Sequence, residues 1–128
     1  MFNPPPKDVL AKLPPLYANE KAETRIEDTI IHLHLFVSAC DWWIAEYDGD
    51  DLFWGFVNLG DDECAEWGYI LFSELKSITI AARLIDANTG ELAGRVPLSV
   101  EWDESWRPKP FRDIQWRKRA KGCSGTAI

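Results

Sequence analysis

The chain has 128 residues, a formal net charge of −7 and 46% hydrophobic residues. This length fits one globular domain, and the composition excludes an intrinsically disordered chain. No apolar run approaches the roughly 18 residues that span a bilayer, and the N-terminal residues lack the charged-then-apolar order of a signal peptide. We therefore expect a cytoplasmic protein without membrane contact.

The first half of the chain predicts a short helix followed by strands. Residues 1–7 are Pro-rich and predict a loose tail, and Asp8 is the expected N-cap of a helix over Asp8–Leu13. Alternating apolar residues predict a strand over Thr29–Val37, with Ile31, Leu33, Leu35 and Val37 on one face. Three aromatic strands separated by Asp- and Gly-rich turns are then predicted, over Trp42–Tyr47, Leu52–Leu59 and Trp67–Leu71.

The second half predicts one more helix and a hairpin. Phe72–Ser77 has helical character with Ser73 as its N-cap, and Ile78–Ile85 has the composition of a strand. A turn signal follows and returns the chain through Glu91–Val100. The prolines of residues 107–110 exclude a regular helix or central strand there. Residues 1–128 are thus expected to form a single α+β domain, mainly an antiparallel sheet meander with one or two short helices.

Charge is divided unequally along the chain. Twelve acidic residues and no Lys or Arg lie between Arg25 and Lys76, whereas residues 107–121 carry seven bases and one acid. The basic residues lead into a tail over residues 117–128 that we expect to be flexible. The two blocks could neutralise each other, with the basic segment lying over the acidic face in a monomer or in a symmetric homodimer.

The acidic block is the strongest functional signal in the sequence. Its carboxylates concentrate at predicted turns, and we expect them to gather along one rim of the sheet, where their field would attract a basic partner protein. The interaction candidates are Asp48, Asp50, Asp51, Asp61, Asp62 and Glu63. A sharper version of this hypothesis is that the carboxylates imitate the phosphates of nucleic acid.

Adjacent aromatic residues predict that the sheet is apolar on both faces. Trp42 and Trp43 must point in opposite directions if they lie in a strand, and the same holds for Phe53 and Trp54. Either the N-terminal helix and the Pro-rich C-terminal segment cover the second face, or it forms an oligomer or partner surface. The candidates for an aromatic surface are Trp43, Trp54 and Trp106.

No catalytic motif is visible, and we predict no enzyme activity and no catalytic residues. Three cysteines at unrelated spacings do not form a disulfide framework, and no CxxC or HxxxH spacing supports a zinc site around His32 and His34. We therefore predict no metal ligands and no cofactor. The enzyme alternative is Mg²⁺ binding by Asp48, Asp50 and Asp51, although their Asp-Gly-Asp-Asp setting is typical of a solvated turn.

A second alternative is nucleic-acid binding by the C-terminal segment. Trp102, Trp106 and Trp116 alternate with Arg and Lys there, and indole rings can stack on bases. The acidic remainder of the chain would repel DNA or RNA, so direct binding is less favoured than a protein partner.

Several segments resemble the domain-of-unknown-function family 2958. They are Pro14-Pro15-Leu16-Tyr17 with Glu20, Leu52-Phe53-Trp54-Gly55, Glu66-Trp67-Gly68-Tyr69, Phe72-Ser73-Glu74-Leu75 and Lys109-Pro110. The resemblance spans most of the chain and implies a small protein of bacterial plasmids, phages or integrative elements, in some cases beside antirestriction modules. It implies no catalytic residues. The chain departs from the family pattern at residues 79–95, which look like an inserted hairpin.

Overall fold

The computed structural model of the protein describes residues 2–117. The strands in this part of the chain are β1 Ile30–Ile31, β2 Leu33–Val37, β3 Cys40–Tyr47, β4 Leu52–Asn58, β5 Glu66–Leu71, β6 Thr79–Ile85, β7 Leu92–Ser99, β8 Glu101–Trp102 and β9 Lys109–Pro110. The helices are α1 Lys7–Leu10, α2 Ala18–Lys21 and α3 Phe72–Ser77, with 3₁₀ turns at Ile26–Asp28, Asp62–Cys64 and Phe111–Asp113. In the described part of the chain, no helix is both long and apolar enough to cross a membrane.

The centre of the fold is a five-stranded sheet in the order β5-β4-β3-β2-β8, and every pairing in it is antiparallel. Strands β2 to β5 form a meander because short turns can join only antiparallel neighbours. The pairs β1 with β9 and β6 with β7 form two further antiparallel sheets. The predicted α+β fold with a single, mainly antiparallel domain is confirmed.

The first face of the sheet is an apolar core. Leu33, Leu35 and Ile44 are at most 1% exposed, and Phe53 is fully buried against the rings of Tyr47 and Phe72. The N-terminal segment and α3 cover this face with Leu13 and Leu75. Burial of this many large apolar side chains supplies the main stabilising free energy of the fold.

The second face is also covered, by residues from the C-terminal end of the described chain. Ile31, Trp43, Ala45, Phe56 and Ile114 form its buried cluster. Phe111 and Trp116 pack on Phe56, and their ring centroids lie 4.8 and 4.9 Å, respectively, from that of Phe56. The sequence predicted either that the N-terminal helix and the C-terminal segment cover the second face together or that this face is an interaction surface. The C-terminal segment covers it, whereas the N-terminal helix packs on the first face.

A β-bulge in β3 changes the direction of one acidic side chain. Ile44 pairs with Gly55, but Glu46 pairs with Trp54, so Ala45 is an extra residue with no partner of its own. In a strand without a bulge, the alternation of side chains would place Glu46 on the apolar first face, after Ile44. The bulge instead directs Glu46 to the second face, beside Trp54.

The helix boundaries and caps differ from the sequence predictions. α1 begins at Lys7 and ends at Leu10, so Asp8 lies inside it and is not its N-cap. α3 has the predicted bounds, but its N-cap is Leu71 rather than Ser73. Both predictions placed the N-cap two positions too late, which is within the usual uncertainty at a helix end.

The predicted strand Thr29–Val37 is interrupted at His32. As a result Ile31 belongs to the second-face cluster, while Leu33, Leu35 and Val37 belong to the first-face core. The prediction that all four share one face was therefore wrong for Ile31. The backbone N–H of His32 donates to the carbonyl of Ile44, which ties the interruption to β3.

The two ends of the chain were predicted to be loose. At the N-terminus, Phe2 packs on Phe72 with ring centroids 5.9 Å apart, and Asn3 forms a bridge with Glu101, so the described start of the predicted loose tail contacts the body of the domain. At the C-terminus, residues 118–128 of the predicted basic tail lie outside the described residues.

The hairpin of β6 and β7 projects from the body of the domain. Its base packs on the first-face core through Ile80 and Leu98, whereas Leu84, Ile85 and Leu92 near its tip are exposed. The predicted hairpin is confirmed as a local structure. Its status as an insertion relative to the family stays a prediction.

Candidate functional site

The six acidic candidates lie at two opposite ends of the sheet rather than along one rim. The turn that joins β3 to β4 holds Asp48, Asp50 and Asp51, and the link from β4 to β5 holds Asp61, Asp62 and Glu63. Consecutive turns of a meander alternate between sheet ends, and the seven residues of β4 place these two turns roughly 23 Å apart. The prediction of a single acidic rim was wrong for this reason.

At the first end, two of the three carboxylates stabilise local structure. Asp48 Oδ1 accepts the backbone N–H groups of Asp50, Asp51 and Leu52, and these hydrogen bonds lower the pKa of Asp48. Asp51 accepts both the backbone N–H and the hydroxyl of Ser73, each at 2.7 Å. The Asp50 side chain makes no such bond among the described residues and remains exposed.

The second end has a similar division. Asp61 Oδ1 accepts the backbone N–H of Glu63 at 3.0 Å, and Asp62 accepts the amide of Asn58 at 3.0 Å. The Glu63 side chain is exposed. The Arg–carboxylate salt bridges seen in the described part of the chain join Arg25 and Arg112 to Glu27 and Asp28, outside both turns.

The second face holds a largely buried histidine between two carboxylates, and its side chain is 14% exposed. Nε2 of His34 lies 2.7 Å from Asp41, and Nδ1 lies 3.3 Å from Asp103. Trp43 stacks on the imidazole with centroids 5.3 Å apart and planes 9° apart, and Trp106 contacts it at 5.3 Å. The sequence placed His34 on the less buried face of its strand but gave no sign of its two partners, which are distant in the chain.

This histidine cluster lacks the arrangement of an acid–base catalyst. Both ring nitrogens of His34 contact carboxylates, so neither is left to accept a proton from a substrate. The nearby Ser105 hydroxyl donates to Asp103 at 2.8 Å rather than to the imidazole. Although burial raises the pKa of Asp103, hydrogen bonds from Ser105 and His34 outweigh it and hold the pKa below 3.8.

The described residues also offer little to a metal ion or a thiol enzyme. No group of three or more His, Cys, Asp or Glu in residues 2–117 is arranged to hold a metal. Cys64 is exposed, but its hydrogen bond to Asp61 and the nearby negative charges raise the pKa of the thiol. A raised pKa disfavours the thiolate, which is the reactive form.

A pocket of about 210 Å³ opens beside the bulge in β3. Its floor includes Glu46, which is only 3% exposed, and its walls include Tyr17, Trp54 and Tyr69. Glu46, Trp54 and Tyr69 pair directly across β3, β4 and β5, so they form one row on the second face. We call this the Glu46 pocket. Sequence reasoning missed Glu46, because only the bulge brings it to this row.

Three N–H groups fix the carboxylate of Glu46. The backbone N–H of Tyr17 donates to Oε1 at 2.8 Å, while the backbone N–H and side-chain amide of Asn19 donate to Oε2 at 3.1 and 2.7 Å. These contacts tie the start of α2 to the sheet. They also hold Tyr17 at φ 70°, in the left-handed region that bulky residues rarely occupy.

The three aromatic surface candidates have different positions. Trp43 is 4% exposed and belongs to the buried second-face cluster, so the prediction that it lies on the surface was wrong. Trp106 is half-buried, donates its indole N–H to the carbonyl of Ile31 and carries Lys109 over its ring. Trp54 is half-buried in the wall of the Glu46 pocket.

A wider groove of about 520 Å³ lies between α1 and the turn after β3, lined by Leu10, Leu13 and Tyr47 among others. It is larger than the Glu46 pocket but mainly apolar, and no buried charged side chain faces it. The Glu46 pocket is therefore the better candidate for specific recognition.

Comparison with known proteins gives a family but no characterised relative. No curated protein and no solved structure shows significant similarity to the chain. A family described as "Protein of unknown function (DUF2958)" matches residues 9–107, which include β1 to β8 and the Glu46 pocket. The chain therefore belongs to the DUF2958 family, as the resemblance of its motifs indicated.

Proposed function

We propose that this chain is a non-enzymatic interaction protein of a bacterial mobile genetic element, which acts in the cytoplasm by binding a basic protein partner. The observation that carries the proposal is the exposed position of Asp50 and Glu63 at the two ends of the sheet, within a stretch between Arg25 and Lys76 that holds twelve acidic residues and no Lys or Arg. Exposed charge of one sign attracts a partner of the opposite sign and speeds association.

The arrangement of charge favours a protein partner over a close imitation of DNA. Phosphate mimicry requires carboxylates at regular intervals along an extended surface, whereas the two acidic turns are roughly 23 Å apart. An antirestriction role by mimicry is thus the narrower form of the proposal. Nucleic-acid binding by the C-terminal tryptophans is less favoured, since Trp106 and Trp116 already pack within the second-face cluster.

The test uses full-length variants that reverse exposed charges without removing the local hydrogen bonds of Asp48, Asp51 or Asp61. Asp50→Lys with Glu74→Lys changes the first end, and Glu63→Lys with Glu66→Lys changes the second. Glu91→Lys with Glu104→Lys, which are exposed and outside both ends, is the control with an equal change of net charge.

Each tagged variant is used for affinity capture from lysate of the host bacterium at low and high salt, followed by mass spectrometry. We expect the wild type and the control to retain a basic protein at low salt. At least one of the two variants with reversed charges at an end of the sheet should fail to retain it. Equal retention by all variants would contradict the proposal. Recovery of the tagged chain alone would also contradict it.

A further inference from the structure

We propose that the Glu46 pocket binds the cationic end of a lysine or arginine side chain, and this inference rests on the proposed function because that side chain belongs to the basic partner. The acidic turns would attract the partner from a distance, and the pocket would fix one of its residues. The pocket lies on the second face rather than in either acidic turn, so the two surfaces can be tested separately.

The carboxylate of Glu46 is held by neutral hydrogen-bond donors. Within residues 2–117 no Lys or Arg lies within salt-bridge distance of its carboxylate. Three N–H donors occupy three of the about four acceptor sites of a carboxylate, which leaves one site, on Oε1. A carboxylate removed from water attracts a cation more strongly than an exposed one does.

The walls of the pocket suit an organic cation. Trp54 and Tyr69 have ring centroids 4.9 Å apart, and the Tyr69 hydroxyl lies 3.4 Å from that of Tyr17. Ring faces attract ammonium and guanidinium groups, most strongly where water is excluded. The hydrogen bond to Tyr17 is the main reason that the pKa of Tyr69 is raised, and the charges of Glu20 and Glu46 raise it further, which indicates a negative potential at these rings.

The size and exposure of the pocket favour a side chain over a free metabolite. Its volume of about 210 Å³ is below the roughly 300 Å³ at which pockets for small molecules begin. Around it, Tyr17, Ile26 and Tyr69 are 49%, 52% and 53% exposed. Apolar residues around a charged pocket are the arrangement expected of a protein interface, in which one anchor is inserted and its surroundings exclude water.

A purely structural role of Glu46 is the alternative, because its hydrogen bonds also hold the start of α2. The backbone conformation of Tyr17 argues for more than this role. A bulky residue at φ 70° is strained, and such strain persists where surrounding contacts enforce it, often at binding sites. Here the Glu46 carboxylate enforces a conformation that keeps the Tyr17 ring at the pocket.

The test is an NMR titration of the full-length chain with the amide of Nα-acetyl-lysine, followed by the arginine analogue. The norleucine analogue, which has the same carbon chain as lysine without the charge, is the neutral control. We expect saturable shifts of the Trp54 indole N–H and of Tyr69 with lysine or arginine and none with norleucine. No shift with either cation, or equal shifts with norleucine, would overturn the inference.

Four variants separate binding from folding. Tyr69→Ala should weaken the lysine probe at least fivefold, whereas Tyr69→Phe, which keeps the ring, and Leu71→Ala, an exposed change on the same strand, should bind as the wild type does. Glu46→Gln should lose binding while the unchanged part of the spectrum remains native. Wild-type affinity in both Tyr69→Ala and Glu46→Gln would assign Glu46 a structural role only.

The outcomes for the pocket and for the proposed function are distinguishable. If no cation binds the pocket but an end variant still loses the captured protein, the inference fails and the proposed function stands. If the pocket binds lysine but none of the charge-reversal variants alters capture, the acidic turns do not bind the partner and the proposed function fails.

Discussion

The two faces of the central sheet differ in chemistry although the same strands build them. The first face is aliphatic and aromatic, with Leu35, Ile44 and Phe53 fully buried. The second face also buries polar groups of the sheet, namely Asp41, Glu46 and Asn58. Burial of polar groups costs free energy unless they are hydrogen-bonded, so they contribute little net stability. We infer that the first face stabilises the fold and that the second orients polar groups for recognition.

The largest expected effect is on the first face. Phe53→Ala removes a fully buried ring that contacts Tyr47 and Phe72, and we expect a loss of about 3–5 kcal/mol in the free energy of unfolding. Urea denaturation measures it. A loss below about 1 kcal/mol would show that the first-face core relaxes around the cavity and would weaken the comparison.

The second prediction concerns how closely the middle strands approach. A Cβ at Gly55 would overlap the carbonyl oxygen of Trp43, whereas a Cβ at Gly68, its partner on β5, would meet nothing. Gly55→Ala should therefore cost about 1–3 kcal/mol, and Gly68→Ala should change stability by less than about 1 kcal/mol. Thermal denaturation of the two variants side by side tests this, and equal effects would contradict it.

A smaller effect separates structural from exposed carboxylates at the first end. Asp51→Ala loses the two hydrogen bonds to Ser73 at the start of α3, and we expect it to cost about 1 kcal/mol. Asp50→Ala, next to it, should cost less than about 0.5 kcal/mol. Chemical denaturation compares the two. If Asp50→Ala proved the more costly, Asp50 would have a structural role that its exposure does not suggest.

The smallest expected effect is a pH dependence from His32, which lies at the interruption between β1 and β2. Burial lowers the pKa of His32 below 6.5, so the unfolded chain binds its proton more readily than the folded chain does. The contribution of His32 to the free energy of unfolding is present above pH 6.5 and is lost as the pH falls through the pKa of His32 in the folded chain. The wild type should lose more stability between pH 7 and pH 5 than His32→Gln, as measured by urea denaturation at each pH. Identical pH profiles would contradict this assignment.

The sequence determined the secondary structure of the sheet because that information is local. Alternating apolar residues and Asp- and Gly-rich turns located β3, β4 and β5 to within two residues, and the bounds of α3 were predicted as found. α2 was missed because a single helical turn has no periodicity, and its position depends on hydrogen bonds from a distant strand.

Only the tertiary structure decided where the functional groups lie. The sequence identified the acidic residues, but the alternation of turns separated them to opposite ends of the sheet. It identified both Trp43 and Trp54 as candidates for an aromatic surface. The C-terminal segment buries Trp43, whereas Trp54 lies in the wall of the Glu46 pocket. The Glu46 pocket depends on one unpaired residue in β3, since a bulge reverses the direction of every side chain after it. Such a change leaves no mark in composition or periodicity, because it is fixed by contacts between strands.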